Sequence, residues 1–236
     1  MHPHFSSYST GDSGLLEVFQ FDEPPTSAES EGQALPPAWD LGLIREAYGE
    51  LRSLCPELMT LFDLVVNVVY SPSDRSRPGS GTMPRGIGAM YVNPLPTWTP
   101  GDVMETLIHE LTHTLLFIDE YRYQHYLDYG ALFAENLSRT AILNEEKPLT
   151  VVFHSIVVAA EVASLRGILR AAGISSAVHG ESADLYRSAL ASCDALYGMP
   201  KLGELAAPRL LELVEKAQAR LQERSSMEPR TSMAIG

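Results

Sequence analysis

The segment Thr106-Leu-Ile-His-Glu-Leu-Thr-His-Thr-Leu-Leu116 constrains this chain more than any other, because it sets His109, Glu110 and His113 into an apolar run at a spacing that a helix turns to one face. At about 100° per residue, His109 and His113 stand one above the other and Glu110 lies beside them. Two imidazoles and a carboxylate within five residues make the H-E-x-x-H pattern of a divalent-metal site, with the histidines as ligands and Glu110 within reach of whatever the metal holds. The surroundings support a helix. Thr99-Pro-Gly-Asp102 reads as a capping box with proline at the first helical position, and Val103, Leu107, Ile108, Leu111 and Leu115 form an inward stripe. The bland reading, two histidines on a solvated helix face, fits these apolar neighbours poorly.

Upstream, Val65–Tyr70 and Ile87–Val92 have strand composition, separated by a Ser/Pro/Gly/Arg loop over 71–86. Before them, helical spacing starts after Asp40, read as a cap, and runs through Ile44, Tyr48 and Leu51 towards Pro56, with Leu58, Leu61 and Phe62 continuing it. After the metal helix come a Tyr-rich stretch over 121–129, a helix near 131–143 and a loop around Asn144–Pro148. Helical patterns follow over about 150–172, 182–197 and 202–223. The expected fold class is α+β and mostly helical: a zincin-like core with a small sheet packed on the HExxH helix and further helices C-terminal to it. Residues 1–36 are expected to be loosely ordered apart from the run Leu15–Phe21, 37–223 to form a single metal-binding catalytic domain, and 224–236 to be a frayed tail.

Among 236 residues, 45% are hydrophobic, enough to build a core around an enclosed site. Thirty acidic against seventeen basic residues give a net charge of −13, which argues against nucleic acid and anionic membrane as partners. Cys55 and Cys193 are far apart and each lies in a helical pattern, so no disulfide framework is expected. The first residues have no secretory pattern, and no eighteen-residue apolar run is free of charge, which reads as a cytoplasmic protein. His2 and His4 lack a scaffold and are left out of the site.

A site with two histidines wants a third ligand. The segment Thr150–Arg166 is apolar nearly all round, as in a helix buried on every side, and its few polar groups need partners. His154 and Glu161, seven apart, share one stripe of it. A metal would satisfy His154, and a hydrogen bond to a carbonyl would do so equally. Glu135, twenty-two residues after His113, is the competing ligand; a helix facing inward through Phe133, Leu137 and Ala141 would turn it towards solvent, so His154 is preferred. Glu120 lies too far along the metal helix for direct contact, and it and Asp119 read as partners orienting an imidazole, in the same outer layer as Glu161.

Glu105–His113, Phe117–Tyr126 and the Lys-Pro-Leu-x-x-Val-x-His154-Ser-Ile-Val-Val segment together resemble the H-E-x-x-H proteins associated with ribosomally made peptide natural products. Members of that family are described as iron- and 2-oxoglutarate-dependent peptide β-hydroxylases, and the resemblance spans roughly residues 85–170. It implies that His109, His113 and His154 match the metal-binding histidines, that the cofactors are Fe(II) and 2-oxoglutarate, and that an arginine, Arg166 or Arg122, grips the oxoacid carboxylate. The partner would be a precursor peptide. The chain lacks the D-x-H or E-x-H spacing of the usual 2-His-1-carboxylate oxygenases, so the iron assignment rests on the likeness.

Two other functions use the same helix. In a zinc metallopeptidase, the metal activates a water whose proton Glu110 takes as general base. A non-catalytic peptide-binding protein would hold the metal without turnover. For a peptide-acting site, the strand over 87–92 could pair with an extended peptide as an exposed sheet edge, and Tyr121, Tyr123, Tyr126 and Tyr129 could wall a pocket or simply pack.

Overall fold

A computed structural model describes residues 2–8, 37–72, 78–134, 137–142 and 144–227. The run Leu15–Phe21, Glu135 and the tail beyond Met227 lie outside the described residues. The chain is α+β and mostly helical, and divides into two compact units: Met1–Tyr123 with Ile168–Val178, and Gln124–Gly167 with His179–Gly236.

The first unit is built on a four-stranded mixed sheet. Its strands are β1 (His4–Tyr8), β2 (Val68–Pro72), β3 (Gly79–Thr82) and β4 (Ala89–Asn93), in the order β1-β2-β4-β3. β1, β2 and β4 run parallel, and β3 is the antiparallel edge. The expected strand over 87–92 is therefore interior, with β3 occupying the side on which a peptide was expected to pair. β3 itself falls within the expected loop 71–86. Its sequence Gly-Ser-Gly-Thr has no apolar alternation, so the strand signal is missing even though its backbone pairs fully with β4. β1 likewise falls where loose order was expected. Its N-terminal side is pinned by His2, which meets Asp63 at 3.1 Å in a cluster with Tyr48 and Arg52.

Helix α1 (Pro37–Leu54) buries Ile44, Tyr48 and Leu51, as the spacing predicts, and Ala47 with them. It starts four residues earlier than expected, and Asp40 is no cap: its buried carboxylate accepts from Ser71 Oγ of β2 at 3.0 Å. Pro56 cannot continue the hydrogen-bond ladder of α1, so a second helix, α2 (Pro56–Val65), begins at it. α2 buries Met59 and Phe62 and leaves Leu61 and Leu64 exposed.

Helix α3 (Pro100–Arg122) carries the HExxH pattern and packs against α1, β3 and β4. Its start is as expected: Thr99 Oγ1 accepts from the Asp102 amide while Asp102 accepts from the Thr99 amide at 2.8 Å. Burial is broader than a stripe, however, and covers every residue from Gly101 to Ile108. That includes Glu105, a charged residue among apolar neighbours and so a signal of special environment.

The second unit contains α4 (Tyr129–Ala134), a hairpin of β5 (Leu137–Arg139) and β6 (Glu146–Pro148), α5 (Leu149–Ala171, of which Leu149–Gly167 belong here), α6 (Ser182–Tyr197), α7 (Leu202–Leu205) and α8 (Pro208–Met227). The helix expected over 131–143 is thus a six-residue helix followed by a strand. Asn144, at φ 53°, adopts the left-handed conformation that a tight return requires, and Thr140 O accepts from its amide at 3.2 Å. Local spacing mimicked a helix where the chain reverses. The inward face through Phe133, Leu137 and Ala141, which would have turned Glu135 to solvent, does not exist as a helix face. α5 matches its expected span closely. Phe153, Ile156, Ala159 and Ala163 on it join the core with Leu185 of α6 and Leu210 and Val214 of α8. α5 is long and apolar enough to cross a membrane by length and composition, but 67% of its most apolar window is buried within the fold, as in a core helix.

Candidate metal centre

The first unit brings together His109, His113, Glu110 and Ser80. One helical turn sets the two imidazoles with ring centroids 4.9 Å apart, tilted by 57°, and their Nε2 atoms 3.2 Å apart. At that distance the nitrogens either share a proton or face one cation. Two ligands bound at about 2.0–2.1 Å to a tetrahedral cation stand roughly 3.3 Å apart, so the pair fits a metal without moving the backbone. Phe117, one turn on, lies nearly parallel to the His113 ring with centroids 6.4 Å apart.

Glu110 points to the same place, with Oε1 3.9 Å from His109 Nε2. Its carboxyl is buried, and burial pushes its pKa up to about 7 even though a hydrogen bond from Ser80 Oγ, at 2.6 Å, acts in the opposite direction. Near neutral pH the group therefore divides between acid and carboxylate, a suitable poise for a proton acceptor. A cation at the histidine pair would favour the carboxylate.

Ser80 was not legible as a site residue, since it sits in a segment read as loop and its partner is thirty positions away. Two positions on, Thr82 Oγ1 lies 3.2 Å from Thr114 Oγ1, and Thr114 donates to Glu110 O. Strand periodicity of two on β3 and helical periodicity of four on α3 thus meet in a double hydroxyl clip. Gly81 between them leaves room for the Tyr91 ring, which a Cβ would approach to 2.4 Å.

The other expected residues fall on other elements or in other turns of α3. His154 is buried on α5, in the second unit. Among the described residues, no group of three or more His, Cys, Asp or Glu side chains is placed to hold a metal ion. Glu161 pairs with Arg220 of α8, so its charge has a partner that is not an imidazole. Arg166 is buried and donates to Ser182 Oγ at 3.4 Å. Arg122 is exposed at the end of α3 and lies over the Tyr123 ring at 5.3 Å. Asp119 and Glu120 are half-buried in the last turns of α3. Of the four tyrosines, Tyr121 and Tyr123 are exposed in the first unit. In the second, Tyr126 is core, packed edge-on against exposed Tyr129 at 5.0 Å and near Phe153. No family model matches the chain, and no curated protein matches it.

Proposed function

We propose that this chain is a metal-dependent enzyme that modifies a peptide, by Fe(II)- and 2-oxoglutarate-dependent β-hydroxylation of a ribosomally made precursor. The observation that carries the metal site is the 3.2 Å approach of the His109 and His113 Nε2 atoms beside the buried Glu110 carboxyl. Hydroxylation as the chemistry rests on the sequence resemblance. When bound, Fe(II) with 2-oxoglutarate and O₂ supplies the oxidant that turns a peptide C–H into C–OH, with succinate and CO₂ as co-products. His109 and His113 would hold the cation, and Phe117 lies alongside the second ring. Glu110 sits beside them and orients, or accepts a proton from, a group bound there. The third ligand that the resemblance implies, His154, belongs to the other unit. The net charge of −13 suits a neutral or basic peptide and disfavours nucleic acid.

A second reading, zinc-dependent peptide hydrolysis, is favoured by one specific observation: Glu110 Oε1 stands 3.9 Å from His109 Nε2, where a general base would reach a water held at the histidine pair. The two separate experimentally. Anaerobic reconstitution with Fe(II), followed by O₂, 2-oxoglutarate and a candidate peptide, is expected to give succinate and hydroxylated peptide, measured by mass spectrometry, and His109→Ala or His113→Ala abolishes both. No succinate, together with peptide cleavage by the zinc form, reverses the order. Glu110→Gln sharpens the distinction, since it should lower hydrolysis by about 10²–10⁴-fold through loss of the base while leaving part of a hydroxylase activity.

A further inference from the structure

The geometry points to Ser80 as a positioning residue that holds the Glu110 carboxylate beside the histidine pair and keeps it from becoming a ligand itself; this rests on the metal site proposed above. A carboxylate oxygen 3.9 Å from an imidazole nitrogen that faces a cation lies within a short side-chain rotation of coordinating it. Carboxylates are ordinary ligands for zinc and iron, and a buried one gains by neutralising its charge on a cation. Something must hold it away if Glu110 is to orient or deprotonate a bound group. The restraint in the structure is the 2.6 Å hydrogen bond that Ser80 donates to Oε1, the same oxygen that lies nearest His109. A hydroxyl donating to a buried carboxylate is among the stronger neutral-to-charged bonds.

Ser80 can serve in this way because it is not on a free loop. β3 is hydrogen-bonded to β4 along its length, with Ser80 opposite Val92, and the Thr82–Thr114 contact fixes the strand to the same helix one turn beyond Glu110. The serine donor is therefore fixed relative to the carboxylate by the sheet on one side and by the helix on the other. Its role differs from that of the ligands: it touches neither the cation nor a substrate, and acts through Glu110.

Co(II) is the probe, because its visible absorption reports ligand number and type without turnover. Wild-type protein is expected to bind Co(II). Ser80→Ala should release Glu110 to coordinate, so the visible bands change and Co(II) binds more tightly through the added ligand. Ser80→Thr keeps the hydroxyl and should keep the wild-type spectrum. The double variant Ser80→Ala/Glu110→Gln should lose the tightened binding and return towards wild type, because the incoming carboxylate is gone. An unchanged spectrum in Ser80→Ala overturns the role of Ser80 while leaving the metal site intact. So does a change that persists in the double variant, since it would report strand displacement instead. Wild-type protein that binds no Co(II) sinks the metal site and this inference together.

Discussion

Removing the Asp102 carboxyl lowers the stability of the first unit by about 3 kcal/mol, measured as the difference in unfolding free energy between wild type and Asp102→Ala. Asp102 serves two segments at once. Through Oδ2 it accepts from the Thr99 amide at 2.8 Å and the Thr99 hydroxyl at 2.9 Å, closing the first turn of α3. Through Oδ1 it accepts from the amides of Ala177 at 2.8 Å and Val178 at 3.1 Å and from Ser176 Oγ at 3.3 Å, which ties the chain beyond α5 to the start of the HExxH helix. Alanine would remove the acceptor that donors from both segments share, and the loss of these hydrogen bonds to a charged group accounts for most of the expected effect.

The effect depends on pH in a defined direction. Burial by itself would raise the Asp102 carboxyl, but the hydrogen bonds from Thr99, Ala177 and Ser176 together outweigh it and hold the group below its ordinary value of 3.8. The folded state thus binds fewer protons than the unfolded one. The stabilisation is complete above the ordinary carboxyl range and is lost as pH falls through the lowered value. The gap between wild type and Asp102→Ala should therefore be constant from pH 6 to 8, shrinking only below about pH 4. A gap that widened on acidification would refute the hydrogen-bond account.

Gly101→Ala is expected to cost a similar amount, about 3 kcal/mol, for a steric reason. A Cβ there would stand 2.1 Å from the Ser175 carbonyl oxygen and 3.0 Å from Ile174 Cγ2. The obstacle is backbone, and that backbone is held by the Asp102 hydrogen bonds, so it cannot retreat without breaking them. The same exchange at Gly42 should have the opposite sign. Gly42 is exposed within α1 and a Cβ there meets nothing within 4 Å, so alanine stabilises the helix by about 1 kcal/mol through lower backbone entropy in the unfolded chain. Because Gly101→Ala and Asp102→Ala loosen the same junction, their combined cost should fall short of the sum. Urea unfolding of the three single variants and the double variant checks all of this in one series.

Both effects bear on the site, since His109 lies two turns from this junction on the same helix. They also mark where sequence reading reached its limit. The capping pair Thr99 and Asp102 was legible, but the second set of donors, seventy-four to seventy-six positions away, was not. The same holds for Glu110: its place beside His109 and His113 follows from helical spacing, whereas its burial and its serine partner do not. Where local spacing misled, as over 131–143, tertiary pairing of Leu137–Arg139 with Glu146–Pro148 prevailed over a weak helical pattern in the same residues.

By itself, the sequence determined the HExxH helix with its cap, the histidine pair on one face, the buried α5 and the α+β class. These depend on residues three or four apart, whose geometry is repeated at every turn. Only the tertiary structure decided that β3 is the sheet edge, that β4 is interior, that Ser80 meets Glu110 and that Glu161 pairs with Arg220. Each of these joins residues distant along the chain, and such pairings are set by the packing of whole elements, which leaves no period in the sequence to read.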